Sequence, residues 1–237
     1  MITVDFDTFT IEPGMTVLDV GCGQGRHSFE AYRRGAHVTA FDMNETDLAD
    51  VKSMFVAMDV EGQVPVDATA DVRHGDARDM PFKTGSFDRV IASEILEHIH
   101  EDETAMQEIA RVVKPGGLVA VTVPRWWPEQ ICWKLSDAYH EVEGGHVRIY
   151  QGSQLIERLE RTGLEVIGQH HAHALHAPYW WLKCAVGPDN NNFATRAYHR
   201  LLVWDMMKAP AVTRLAERSL NPLIGKSFVV YLRKPVS

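Results

Sequence analysis

A chain of 237 residues is long enough to bury one sizeable α/β core and short for two independent domains. Its net charge of −8 speaks against general nucleic-acid binding, and no apolar run approaches the length that spans a bilayer. The three cysteines, Cys22, Cys132 and Cys184, form no C-x-x-C pair, which fits reduced thiols rather than a disulfide framework. Residues 1–10 lack the basic and apolar regions of a signal peptide, so a cytoplasmic location is expected.

Glu12-Pro13-Gly14 is a turn into a first strand, Thr16 to Val20, whose β-branched and aliphatic run fits a buried parallel strand. Three glycines follow at alternate positions, Gly21, Gly23 and Gly25, and a helical pattern starts at Arg26. A strand that passes through glycines into a helix gathers backbone N–H groups and the positive helix end at one point, where the polar part of a ligand binds. A dinucleotide loop would carry its third glycine where Arg26 stands, and the G-K-[ST] of a P-loop is absent. Gly35 closes the short helix, and His37 to Phe41 is a second strand ending in Asp42. An acidic residue there suits a ribose with two free hydroxyls, which SAM (S-adenosylmethionine) and NAD share.

Leu48, Val51, Phe55 and Met58 recur at helical spacing, predicting an amphipathic helix over 44–58. A third strand is expected near Ala70–His74, followed by Gly75-Asp76-Ala77. Arg89 to Ser93 reads as a fourth strand, Glu103 to Val113 as a helix, and Lys114-Pro115-Gly116-Gly117 as the turn into a fifth strand, Leu118 to Val123. Ser153 to Arg161 is a further helix, Leu164 to Ala174 a sixth strand and Phe228 to Leu232 a seventh. Residues 175–225 form a long insert between the last two.

The segments D-V-G-C-G-Q-G (19–25), D-M-P-F-x-x-G-S-F-D (79–88), S-E-I-L-E-H (93–98) and K-P-G-G (114–117), in this order, resemble the type 11 branch of the class I SAM-dependent methyltransferases. The resemblance implies a Rossmann-like α/β fold: a seven-stranded mixed sheet of order 3-2-1-4-5-7-6, its last strand antiparallel, with helices on both faces. It also implies one domain, with 1–124 the SAM-binding half and 125–237 the substrate side. SAM would be the cofactor and S-adenosylhomocysteine the product. The cofactor residues it implies are Asp19, Gly21, Cys22, Gly23, Gly25 and Arg26 in the first loop, then Asp42 and Met43, Asp76 and Ala77, and Ser93 and Glu94. Asp76 matches the acidic residue that accepts from the adenine amino group.

Methyl transfer needs an aligned nucleophile and, for a hydroxyl or protonated amine, a group that removes a proton. His98, after the fourth strand, and His146, in Gly144-Gly145-His146-Val147-Arg148, are the candidates, and each reads equally as a residue that fixes loop backbone. His170-His171-x-His173-x-x-His176 has no accompanying cysteine or carboxylate pattern, and no metal site is predicted. On a continuous strand His171 and His173 would share a face. All six tryptophans follow the fifth strand. Trp126, Trp127, Trp180 and Trp181, with His171 and His173, are substrate-side candidates, or the tryptophans form the core of a cap.

The strongly apolar stretch 176–208 suits a lid, a homodimer face or a membrane surface. The reading that follows is methyl transfer to a small-molecule, glycan or lipid-linked acceptor, at oxygen before nitrogen or carbon. A SAM-binding scaffold without turnover and an NAD-dependent oxidoreductase are the alternatives.

Overall fold

Seven extended stretches, the central ones buried almost continuously on both faces, build one sheet in the computed structural model, which describes residues 2–139, 145–187, 190 and 192–236. The strands are β1 (Thr16–Val20), β2 (His37–Asp42), β3 (Thr69–His74), β4 (Phe87–Ser93), β5 (Val113–Pro124), β6 (Glu165–Ala172) and β7 (Ser227–Arg233). Their order is β3-β2-β1-β4-β5-β7-β6, as expected. The first five run parallel, and β7 lies antiparallel between β5 and β6.

Side chains of β1 serve two cores because successive residues of a strand face opposite ways. Leu18 and Val20 pack with Met106, Ile109, Leu155 and Leu159 on one side. Val17 packs with Tyr32, Leu48, Val51 and Phe55 on the other. The helices that supply these contacts are α1 (Arg26–Arg33), α2 (Glu45–Val60), α3 (Asp102–Val112) and α5 (Gly152–Glu160). Each fully buried Leu or Phe is worth about 1.5–3 kcal/mol, so both faces must stay covered. Asn44 starts α2 by accepting from the amides of Thr46 and Asp47, an N-cap that ties the end of β2 to the helix.

Three local expectations are corrected. Lys114–Gly117 is not a separate turn before the fifth strand: it belongs to β5, with an irregular register opposite Phe87 and Arg89. Gly116 there takes a φ of +78°, open to glycine without steric cost. Trp126 and Trp127 open a helix not foreseen, α4 (Trp126–Leu135). The sixth strand ends at Ala172, and His173 turns into the left-handed region with φ +67°.

The insert 175–225 folds as α6 (Ala177–Val186), α7 (Phe193–Lys208) and α8 (Ala211–Ile224); its residues 188, 189 and 191 lie outside the described residues. α6 packs on α4, and α8 against β6. Among the described residues no helix is long and apolar enough to cross a membrane.

Candidate active site

Parallel pairing sends the C-terminal ends of β1 to β4 to the same edge, where open α/β sheets bind ligands. A cavity of about 460 Å³ opens there, lined among others by Gly21, Gly23, Asp42, Met43, Asp76, Ala77, Glu94 and His98. Its size falls in the range of about 300–1,000 Å³ common for small-molecule sites.

The glycine loop is held from behind. The amides of Gly21 and Cys22 donate to the Phe41 carbonyl, at 2.8 and 3.2 Å. Gly21 has φ +66°, and a Cβ on it would lie 2.2 Å from Ile95 Cγ2, so backbone and packing both demand glycine. Gly23, at φ +49°, has nothing within 4 Å of such a Cβ. The space above it is open, a cradle a side chain would fill. Its N–H donates to Asp42 Oδ2 at 2.8 Å, while Asp42 Oδ1 accepts from the Asn44 amide at 2.9 Å. Each oxygen retains acceptor capacity for a ribose hydroxyl.

On the β3 side, Asp76 accepts from the backbone N–H and guanidinium of Arg78, whose hydrogen bonds hold its carboxyl below the usual range. It is an ionised acceptor beside Ala77 on the cavity wall.

Other residues expected to bind cofactor stand outside the cavity lining. Asp19 is buried and accepts from the Ser28 amide at 3.0 Å and hydroxyl at 2.6 Å, fastening α1 beneath the loop. Burial pushes its carboxyl up to about 6, against the hydrogen bonds from Ser28 and the charge of Arg26. The Cys22 thiol is buried and pushed up by desolvation. Gly25 caps α1, where a Cβ would meet Phe29 and Val51. Arg26 Nη2 donates to Ser93 Oγ at 3.2 Å, and Ser93 pairs with Thr122 at 2.9 Å. These five shape the loop rather than line the cavity.

Beyond β4 the backbone is strained at Glu94, whose φ is +56°. Its amide donates to the Thr122 carbonyl and its Oε1 accepts from the Thr122 hydroxyl, both at 2.8 Å. Such strain is held only where the surroundings over-determine it. The following turn sets His98 on the cavity wall, with Nδ1 at 3.2 Å from the Gly145 carbonyl. His146 lies against it, ring centroids 4.9 Å apart. Gly144 of that motif lies outside the described residues.

His146 Nδ1 sits 2.8 Å from Glu129 Oε1. Burial alone would raise Glu129, but the His146 hydrogen bond and the Lys226 charge outweigh it and hold the carboxyl below its usual range. An ionised acceptor assigns the proton to Nδ1 and leaves Nε2 with its lone pair. Lys226 is half-buried; desolvation pulls its ammonium down, but Tyr139, Glu129 and Glu94 overcome this and hold it above the usual lysine range. Glu97 is also buried, with both carboxylate oxygens unpartnered. Burial and the charge of Glu94 raise its carboxyl well above its ordinary value.

The substrate-side candidates divide. Trp127 packs on Trp181, centroids 5.6 Å apart, and Trp181 Nε1 donates to the Pro128 carbonyl at 3.0 Å. Lys226 lies over Trp180, 5.6 Å from its centroid, and Trp180 touches Tyr139. Thus Trp127, Trp180 and Trp181 build a cap next to the Glu129–His146 pair, and Trp126 opens α4 at 39 % exposure. His171 packs on Phe228, and burial lowers it to about 4. His173 does not share its face, having left the strand.

Sequence reasoning missed Glu129 and Lys226, which carried no local signal. It also missed Ile95 and Ile99, which line the cavity; helical spacing after β4 was their only trace. Among the described residues, two groups of three side chains bring donor atoms within 4.8 Å of one another: Glu97, His98 and His146, and His173, His176 and Glu217.

Open space above Gly23, hydroxyl acceptors on Asp42 and apolar walls at Ala77 and Ile95 fit an amino acid joined to a ribose and a flat base. Residues 18–121 match the family described as a methyltransferase domain. The chain is 28 % identical over 161 residues to the O-methyltransferase resE of Aspergillus sclerotiorum, covering 65 % of this chain and 56 % of that protein. It is 32 % identical over 159 residues to a ubiquinone biosynthesis O-methyltransferase of Marinobacter nauticus, covering 65 % of each. It thus spans somewhat more than half the length of these curated relatives. The fold is that of a SAM-dependent methyltransferase from Methanosarcina mazei, at a TM-score of 0.65 over all of both chains and 14 % identity. The glycine cradle and the carboxylate at the end of β2 lie within the matched residues: 18–121 form a methyltransferase domain, similar to those of the class I SAM-dependent methyltransferases.

Proposed function

We propose that this chain transfers a methyl group from SAM to a hydroxyl of a small-molecule acceptor, with His146 as the general base. The observation that carries the reading is the Glu129–His146 pair standing behind His98 on the rim of the cavity. SAM, when bound, supplies an electrophilic methyl group on a sulfonium. Gly21 and Gly23 seat its amino-acid end, Asp42 its ribose hydroxyls and Asp76 its adenine amino group. His146 Nε2 takes the acceptor's proton as the oxygen becomes nucleophilic, and Glu129 stabilises the imidazolium and fixes its tautomer. Lys226 keeps Glu129 ionised. His98 and the Trp180–Tyr139 wall orient the acceptor.

Oxygen is favoured over nitrogen or carbon by this carboxylate-backed imidazole and by relatives named as O-methyltransferases. Leu201, Val203, Trp204, Met206 and Met207 are exposed on α7; they support a lipid-linked acceptor met at a membrane surface, or a second copy seated on that face. Three buried free cysteines support a reducing, cytoplasmic location.

The test is S-adenosylhomocysteine release by the purified chain from SAM with a panel of phenols, catechols, hydroquinones and amines. Turnover on hydroxyl acceptors is expected. SAM binding without turnover on any acceptor would favour the scaffold reading instead, and absence of SAM binding would sink both.

A further inference from the structure

The end of β6 carries a second polar cluster, set apart from the cavity lining. His173 and His176 flank a 3-10 turn, and Glu217 reaches them from α8. One donor atom of each lies within 4.8 Å of the other two. His173 and Glu217 are buried, at 7 % and 9 % exposed, and His176 is half-buried. Its polar atoms are unsatisfied, since His176 Nδ1 and Glu217 Oε1 are buried without a hydrogen-bond partner. Two such orphans at one point are unusual in a native interior.

Among the described residues no hydrogen bond reaches these two atoms, although the Leu175 backbone N–H assists the Glu217 carboxylate. Arg214 stands 3.8 Å from the other Glu217 oxygen and gives its short contact to Asp205. His173 Nε2 is 3.1 Å from the Thr3 hydroxyl, which fixes its ring. Its backbone is held at φ +67°, a conformation that side chains with a Cβ adopt at a cost.

Two imidazoles and one carboxylate make a three-ligand zinc-type donor set that leaves a fourth position for water. We infer that His173, His176 and Glu217 form a binding site for a divalent cation of the zinc class. Bonds of about 2.0–2.2 Å in tetrahedral geometry bring ligand atoms to about 3.4 Å from one another, so the triangle contracts on the ion. The ion then fastens α8, which precedes β7, to the end of β6. This inference does not rest on the methyl-transfer reading.

The test strips the full chain with a chelator, then titrates it with Zn²⁺ by calorimetry and with Co²⁺ by visible absorption. The expected result is one tight equivalent here, with Co²⁺ bands of a four-coordinate N/O site and a melting temperature that rises with Zn²⁺. His176→Ala and Glu217→Gln should weaken this equivalent at least tenfold. His98→Ala, which breaks the other three-residue group, should keep it. A far-UV circular dichroism spectrum and a cooperative unfolding transition like those of the unmutated chain show that each variant is folded. Independently of any variant, Zn²⁺ should shift the side-chain nitrogen resonances of His173 and His176 in the unmutated chain. Failure of the stripped chain to take up an ion, or shifts confined to His98 and His146, would overturn the inference.

Discussion

The Nδ1 atom of His146 lies 2.8 Å from Oε1 of Glu129, whose side chain is 1 % exposed. A buried carboxylate that stays ionised is costly unless something uses its charge. Here His146 and Lys226 share it, and the imidazole gains a fixed tautomer. His146→Gln should therefore cut turnover about 10²–10⁴-fold while SAM affinity holds. A purely structural His146 would lower stability and leave the turnover of the folded chain within a few fold of the unmutated rate.

Asp42 serves two masters, the ligand and the loop. Because it accepts from the amides of Gly23 and Asn44, Asp42→Ala should lower the stability of the ligand-free chain by about 1–2 kcal/mol. Loss of the ribose contacts should weaken SAM by about 1.5–3 kcal/mol, the range for hydrogen bonds to a charged group. Urea unfolding and calorimetry measure the two separately, and an unchanged SAM affinity in a folded variant would remove Asp42 from the site.

Gly21 and Gly23 make a matched pair of probes. Both have positive φ, but a Cβ meets Ile95 at position 21 and nothing at position 23. Gly21→Ala should lower the melting temperature sharply. Gly23→Val should cost less stability and more SAM affinity, because its side chain occupies the cradle itself. Equal losses of stability would show that the space above Gly23 is not the ligand's.

Acid stability should report two buried groups in opposition. Burial holds His27 down to about 3, so the fold keeps it neutral. Its stability is complete above its unfolded value near 6.5 and is lost as pH falls toward 3. Asp19 is raised to about 6, so the fold holds its proton more tightly than the unfolded chain does. Its contribution grows as pH falls from 6 to about 4, offsetting part of the His27 loss. Asp19→Asn should thus steepen the decline between pH 6 and 4 by up to about 3 kcal/mol, at 1.36 kcal/mol for each unit. Chemical unfolding at closely spaced pH values would show it, and an unaltered slope would mean Asp19 titrates normally in the fold.

The sheet order and much of the cavity were legible because strand ends and glycines occupy fixed places along the chain. Gly21, Gly23, Asp76 and Glu94 come within three residues of a strand end, and Asp42 is the last residue of β2. Asp19 and Ser93 were harder: they lie within strands, and which way each side chain points is decided by packing against α1 and β5. His173 was misplaced because Asn221, 47 residues further on, accepts the Ala174 amide at 2.9 Å and ends the strand. Glu129 and Lys226 approach His146 through α4 and the segment before β7, contacts with no local periodicity to announce them.

The seat of β7 between β5 and β6 also sets a timetable. β6 pairs with β7 along its whole length, so it has no neighbour in the sheet until residues 227–233 have left the ribosome. Until then β5 offers an open edge, ready to pair with another chain. A chain whose β1 to β5 pair during synthesis carries that edge uncovered until β7 emerges. Crowded synthesis exposes such a chain to aggregation, and a chain halted before Ser227 would have to be held by a chaperone or degraded.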